Sequence, residues 1–142
     1  MSTKNYHELI KDRIYMGGAD DVKDVIEKEK PDVIFDLRAE SPETKSDFNT
    51  IHSPIVDDGD HQDQSIKKSI EHVVNAYHEG KKVYFHCGGG SGRTGTVAVG
   101  TLLSLGKAKT IDEAEEVAKA ARPKINVKPQ MKEALQRIYP NS

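Results

Sequence analysis

Residues 83–106 read VYFHCGGGSGRTGTVAVGTLLSLG, and the order of residue types in this stretch decides the fold. The β-branched and aromatic run up to Cys87 predicts a buried strand, and the glycines that follow predict a tight loop. From residue 96 to residue 106 the chain is apolar around most of a helical circumference, which is typical of a helix at the centre of a domain. The stretch therefore predicts a strand, a glycine loop and a core helix in succession.

The flanking sequence continues this alternation. Residues 13–18 and 32–38 predict strands, and residues 50–56 predict a weaker strand that lies near an edge or ends around Pro54. Apolar spacing and capping patterns predict helices after Asp20, from about Ile66 to Gly80, from Thr110 to about Arg122, and around Met131, Leu135 and Ile138. We therefore expect an α/β fold, with a central, mostly parallel sheet of four to five strands flanked by helices. The functional site is expected at the carboxyl end of the strand over residues 82–87.

Length and composition predict one domain over residues 1–142, because this length suits a single core. No apolar run approaches the ~20 residues that cross a bilayer, so we expect no membrane span. The single cysteine and the polar amino terminus favour a reducing, cytoplasmic location. A net charge of −2 gives no indication of nucleic acid as a partner, and we expect none. We expect a monomer.

The glycine loop has the features of a phosphate-binding loop. Backbone N–H groups converge at a helix N-terminus, and the glycines at 88, 89, 90 and 92 let the backbone approach a bound group. Arg93 can hold two phosphate oxygens with its planar guanidinium. Because the amides, the helix dipole and Arg93 all favour an anion, Cys87 is expected to be a thiolate and a nucleophile.

The segment from His86 to Thr94 resembles the HCxxGxxR(S/T) signature of the cysteine-dependent protein tyrosine phosphatase superfamily. Gly90 stands at its inner glycine position and Thr94 at its hydroxyl position. The segments DLR, PIVDD and RPKINVKPQ are similar to the dual-specificity branch, so the resemblance covers most of the chain from about residue 13. It implies that Cys87 attacks phosphorus to form a phosphocysteine, which water then hydrolyses. It also implies that no metal and no other cofactor takes part.

The resemblance assigns further roles. It implies that the phosphate group is bound by the loop residues Gly88, Gly89, Gly90, Ser91, Gly92 and Arg93. Thr94 would assist the departure of the Cys87 sulfur, and His86 would order the loop from behind. The leaving oxygen must be protonated as it departs, and several aspartates precede the next predicted helix. The family's acid often lies three residues after a proline, which indicates Asp57, with Asp58 as the alternative.

Other polar residues admit plainer interpretations. Asp63 is placed to cap the next helix. Arg38 could approach the site, but we favour a structural role in which it pairs with Asp36 or Glu40. His72 and His78 are six residues apart, which is not the spacing of a helical pair of metal ligands. We therefore expect no metal site.

Substrate preference is the least constrained prediction. We favour a shallow pocket that accepts phosphotyrosine, and with it phosphoserine and phosphothreonine, in a phosphorylated protein or a small phosphomonoester. Lipid-directed relatives tend to carry lysines inside the loop, where this chain has glycine and serine, although Lys124 and Lys128 could supply a basic rim. Asn126 and Gln130 resemble the segment that positions the hydrolytic water, in a different register.

Three alternatives stay open. One is a phosphoinositide or other small-molecule phosphatase, and another is a phosphate-binding module without turnover. The third is a sulfur-transfer or arsenate-reducing enzyme. Reductases of that kind normally need a second, resolving cysteine, which this chain lacks.

Overall fold

The computed structural model describes residues 5–39, 49–56 and 59–142 of the chain. In these residues five strands form one sheet: β1 (His7–Ile10), β2 (Ile14–Gly18), β3 (Val33–Asp36), β4 (Thr50–His52) and β5 (Val83–Cys87). The helices are α1 (Val22–Lys28), α2 (Gly59–His78), α3 (Gly92–Ser104), α4 (Ile111–Ala121) and α5 (Pro129–Ile138), with a 3₁₀ turn at Ala19–Asp21. The predicted α/β class is confirmed.

The sheet places the end of β5 at its centre. The strand order is β1-β2-β5-β3-β4, and every pairing is parallel except that of β1 with β2. Cys87 lies opposite Gly18 on one side, and His86 lies opposite Asp36 on the other. Because parallel strands end at the same edge of a sheet, the predicted functional loop leaves the sheet between two other strand ends.

The two faces of the sheet are covered unequally. Successive side chains of a strand point to opposite faces, so Val83 and Phe85 enter a large core with α2, α3, α4 and α5. Tyr84 enters a smaller cluster on the other face, which includes Tyr6 and Val25. The predicted core helix is α3, whose residues from Thr94 to Leu102 are buried. The loop is therefore held between the central strand and the most buried helix.

Close packing of α2 on α3 depends on a glycine. A Cβ atom at Gly100 would lie 2.1 Å from Cδ1 and 2.7 Å from Cγ1 of Ile70. No methyl group fits at those distances, so the absence of a side chain at residue 100 allows the helices to approach.

Several local features differ from the sequence prediction. β1 was not predicted, and β4 is shorter than the predicted strand because it ends at His52, before Pro54. Asp63 lies inside α2 and does not cap it; its carboxylate accepts hydrogen bonds from Arg137 at 2.5 and 2.9 Å. Across the described ranges, no helix combines the length and the apolar character that a bilayer span requires.

Candidate active site

Cys87 lies at the base of a pocket of about 250 Å³, at the point where β5 ends. The loop side of the pocket is formed by Cys87, Gly88, Gly89, Ser91, Gly92 and Arg93. The cysteine is 6% exposed, and its sulfur accepts a hydrogen bond from the Gly90 N–H at 3.2 Å. The structure therefore brings the predicted nucleophile and five of the six predicted phosphate-binding residues into one cavity, while the sixth, Gly90, contacts the sulfur through its N–H.

Gly90 gives the loop its curvature. Its φ of +76° lies in the left-handed region that glycine adopts without strain. A Cβ atom there would also come within 2.7 Å of the backbone of Gly17, at the end of β2. Any side chain at this position would push the loop away from the sheet, so the turn that brings the Gly90 N–H to the sulfur depends on glycine.

Thr94 holds Cys87 from the first turn of α3. Its hydroxyl accepts a hydrogen bond from the Cys87 N–H at 3.0 Å and lies 3.1 Å from the Cys87 sulfur. The carbonyl of Gly17 is a second acceptor, also at 3.1 Å. The hydroxyl has one hydrogen for two acceptors, so donation shifts toward the sulfur when the sulfur carries a negative charge.

Arg93 is fixed at the wall of the pocket by the segment after β4. Its Nε–H donates to the carbonyl of Ile55 at 2.8 Å. Ile55 stands two residues before Asp57 in the sequence. Asp57 and Asp58, the predicted general acid and its alternative, lie outside the described residues.

His86 lies behind the loop and does not line the pocket. It is buried and stacked on Tyr84, and its Nδ1–H donates to the carbonyl of Cys87 at 3.2 Å. Burial lowers the pKa of His86 below its ordinary value, so the neutral ring is favoured. The Tyr84 hydroxyl donates in turn to the carbonyl of Gly18 at 2.7 Å. The hydrogen bond from His86 to the Cys87 carbonyl is consistent with the prediction that His86 orders the phosphate loop from behind.

Arg38 pairs with Asp36, next to His86 in the sheet. The Arg38 side chain donates to the two oxygens of the buried carboxylate, at 3.0 Å from Nε and 2.8 Å from Nη2. Burial by itself would raise the pKa of Asp36, but the hydrogen bonds from Arg38 outweigh it and hold the pKa below its ordinary value. Arg38 therefore pairs with Asp36, one of the two partners that the sequence predicted.

The opposite wall of the pocket comes from residues after α4. Asn126, Lys128 and Met131 line it, and the Asn126 N–H donates to the carbonyl of Ser91 at 3.1 Å. Gln130 instead borders a separate groove beside α5, and Lys124 is not among the described residues that line the pocket. Asn126 and Lys128 are thus placed at the site, whereas Lys124 and Gln130 are not.

Arg122 is a residue at the site that sequence reasoning missed. It follows α4 and is buried, and its Nε–H donates to the carbonyl of Gly90 at 2.8 Å. The available signal was an arginine directly before Pro123, where the chain leaves the helix. That pattern marks a helix end but does not indicate which group the side chain contacts.

No group of three histidine, cysteine or carboxylate side chains that could hold a metal is found among the residues for which the structure gives positions. The donors around the pocket are backbone amides, the guanidinium of Arg93, the ammonium group of Lys128 and the polar side chains of Ser91 and Asn126. Such donors bind anions, so the site as described can hold an oxyanion against the Cys87 sulfur.

Comparison with known proteins agrees with this geometry. A family model described as "Dual specificity phosphatase, catalytic domain" matches residues 14–140. A search of curated protein sequences finds no match. The crystal structure of DUSP15 is similar with a TM-score of 0.81 at 18% identity, over 96% of this chain and 88% of that one.

Two further solved structures are similar over nearly their whole length. Tk-PTP in its active form gives a TM-score of 0.79 at 21% identity, over 99% of this chain and 100% of that one. PTPMT1 gives 0.77 at 18% identity, over 95% and 94%. At these identities the solved structures confirm the predicted fold. The evidence for a family relationship is the match of the family model to residues 14–140.

Proposed function

The chain belongs to the dual specificity phosphatase family and is a cysteine-dependent phosphatase, and on that premise we propose that it hydrolyses phosphotyrosine, phosphoserine and phosphothreonine in proteins. The observation that carries the proposal is the environment of one sulfur. Cys87 receives the Gly90 N–H and faces the Thr94 hydroxyl, at the base of a pocket that Arg93 lines. These donors favour a negatively charged sulfur and a bound phosphate together.

The first step transfers the phosphoryl group to the enzyme. The Cys87 thiolate attacks phosphorus, a sulfur–phosphorus bond forms, and the ester oxygen–phosphorus bond breaks. The loop amides and Arg93 hold the phosphate oxygens while charge moves between them. Asp57 gives its proton to the departing oxygen, so the dephosphorylated product leaves as a neutral alcohol or phenol.

The second step releases phosphate. Asp57, now ionised, takes a proton from a water molecule whose oxygen attacks phosphorus, and the sulfur–phosphorus bond breaks. Sulfur leaves as the thiolate and again receives the hydrogen bonds of Gly90 and Thr94. Asn126 lies on the wall of the pocket and is our candidate for orienting this water.

Domain organisation, location, oligomeric state and partners are proposed from the composition of the chain. We take residues 1–142 to act as one catalytic domain, in the cytoplasm and as a monomer, without nucleic acid as a partner. The net charge of −2 and the single cysteine support this assignment.

A second candidate substrate is a phosphoinositide, and Lys128 is the observation that favours it. Lys128 is exposed and lines the same pocket as Cys87, so its ammonium group can meet a second phosphate of a headgroup. PTPMT1, one of the similar structures, has been solved in complex with PI(5)P. A comparison of phosphopeptides with a soluble short-chain phosphoinositide separates the two substrates. Lys128→Gln should reduce only the second activity. The matched control is Lys132→Gln, which removes one of the two lysines that pair with Glu115 and does not change the lining of the pocket.

The deciding experiment is hydrolysis of an aryl phosphate from pH 4 to pH 8 in the presence of a chelator. We expect a bell-shaped profile that is abolished in Cys87→Ser. In Asp57→Asn the basic limb should flatten, whereas the neighbouring control Asp58→Asn should keep it. Full activity of Cys87→Ser, or an Asp58→Asn profile that flattens while Asp57→Asn is unchanged, would contradict the respective assignment.

A further inference from the structure

The buried guanidinium of Arg122 contacts the phosphate loop on the side away from the pocket. It is 1% exposed, although it follows a surface helix. Its Nε–H donates to the carbonyl of Gly90 at 2.8 Å, and Nη2 lies 3.5 Å from the carbonyl of Gly89. Nη1 donates to the carbonyl of Asn5 and to Nδ1 of His7. One guanidinium therefore joins two consecutive loop carbonyls to the amino-terminal segment.

These contacts determine where the loop amides point. In a trans peptide the C=O and the following N–H point in opposite directions. The Gly88 carbonyl accepts the Ala19 N–H at 3.1 Å, and Arg122 binds the next two carbonyls. Carbonyls held away from the pocket in this way should turn the following N–H groups, those of residues 89, 90 and 91, toward it. The Gly90 N–H does reach the Cys87 sulfur, at 3.2 Å.

The charge of Arg122 points to the same role. Among the described residues, none of its hydrogen bonds goes to a carboxylate, and a buried charge without an ionic partner is costly. Burial lowers the pKa of Arg122, while the nearby hydroxyl of Tyr84 and the carboxylate of Asp21 oppose that effect, as does Cys87. A thiolate and a bound phosphate dianion would supply the missing negative charge.

We propose that Arg122 is a positioning residue of the phosphate loop. It holds the carbonyls of Gly89 and Gly90 outward, so that the amides of Gly90 and Ser91 face the sulfur and the phosphate. The inference rests on the proposed function, because it assigns the loop to oxyanion binding. Lysine cannot replace it, since one ammonium group cannot span both carbonyls as the planar guanidinium does.

The test is binding of inorganic phosphate to the ¹⁵N-labelled protein, followed through the amide resonances of residues 89–91. In native protein these resonances should move on titration. In Arg122→Lys and Arg122→Met we expect phosphate to bind about ten-fold more weakly, with smaller movements at Gly90 and Ser91. The control is Val25→Ala, which makes a cavity in the cluster on the far face of the sheet and should lower Tm without changing phosphate affinity.

Each outcome is decisive. Native affinity in Arg122→Lys, or an equal loss in Val25→Ala, overturns the inference. If both Arg122 variants fail to fold, the native protein still tests it, because the Arg122 Nε–H should be protected from exchange and shift on phosphate binding; free exchange overturns it. Native protein that binds phosphate through these amides but hydrolyses no aryl phosphate contradicts the proposed function and leaves the inference standing. If the amide resonances of residues 89–91 in native protein do not move when phosphate is added, both the inference and the proposed function are overturned.

Discussion

Thr94 and Cys87 are joined twice: the Cys87 N–H donates to the Thr94 hydroxyl at 3.0 Å, and the same hydroxyl lies 3.1 Å from the Cys87 sulfur. The first contact fixes the backbone of the nucleophile, and the second can stabilise a negative charge on its sulfur. Because the hydroxyl hydrogen can turn to the carbonyl of Gly17 instead, it need not stay on a sulfur that is bonded to phosphorus. Thr94 can therefore respond to each stage of the reaction.

Thr94→Val should slow the second step more than the first. Valine keeps the shape of threonine but neither accepts the Cys87 N–H nor donates to the departing thiolate. The thiolate departs only in the second step, so hydrolysis of the phosphocysteine is expected to fall by about ten-fold or more. Rapid-quench kinetics should show a burst of released phenol followed by slow turnover. Thr94→Ser, which restores the hydroxyl, is the control and should show no burst. Equal slowing of both steps in the valine variant would argue against a role in thiolate departure.

Peroxide should inactivate the enzyme through Cys87, and inorganic phosphate should protect it. A thiolate at the base of an open pocket reacts with peroxide to form a sulfenic acid, and a bound anion blocks access. The chain has one cysteine, so no internal disulfide can form, and recovery should require an added thiol. Mass spectrometry of the Cys87 peptide and residual activity measure both effects. Spontaneous recovery without thiol is incompatible with this prediction.

Gly100→Ala should destabilise the fold even though alanine favours helices. The new Cβ would overlap Cδ1 of Ile70, and overpacking of this kind costs about 1–3 kcal/mol, against a gain in helix propensity of about 1 kcal/mol. Ile70→Val removes that Cδ1 atom. The double variant should consequently be more stable than the sum of the single changes predicts, as measured by urea denaturation. Strict additivity would show that the two side chains do not compete for the same space.

Stability should fall as the pH drops below about 6.5, because of one buried and two partly buried histidines. Burial lowers the pKa of His72, and the charge of Lys68 adds to that effect; burial likewise lowers the pKa of His7 and His86. The unfolded chain then binds more protons than the folded chain. The stabilisation is complete above the ordinary histidine pKa and is lost as the pH falls through the lowered values.

The measurement for this effect is Tm between pH 7.5 and pH 5. His72→Gln should make the decline shallower, since one partly buried titrating ring is removed while a polar partner for Ser53 is kept. His78→Gln changes an exposed ring on the same helix and serves as the control. A decline that is equally steep in native protein and His72→Gln would refute the assignment to this residue.

The sequence predicted the centre of the molecule well because the relevant signals there are local. The strand, the glycine loop and the buried helix follow one another along the chain, so residue pattern and structure have the same order. β1 was missed because its four residues, HELI, are only partly buried and form part of the fold only by pairing with β2. A short edge strand of this kind carries little periodicity to detect.

Residues that reach the site from a distance were harder to predict. An arginine at a helix end is normally solvated, and the burial of Arg122 depends on where the loop and the amino-terminal segment lie in space. Gln130 was expected near the water, but α5 begins at Pro129 and places Gln130 in a groove outside the pocket. Asp57 stays a prediction, made from its distance to Pro54 in the sequence.

The central position of β5 has a consequence for refolding. Cys87 becomes part of a finished loop only after β5 has paired with β2 and β3, which are remote from it in sequence, and after Arg122 has been buried. Contacts between remote segments form late and slowly compared with helices. When denaturant is diluted, helical circular dichroism should therefore return before the capacity to bind phosphate. In a refolding mixture, phosphate binding would therefore report only the molecules in which β5 has paired with both neighbours and Arg122 is buried.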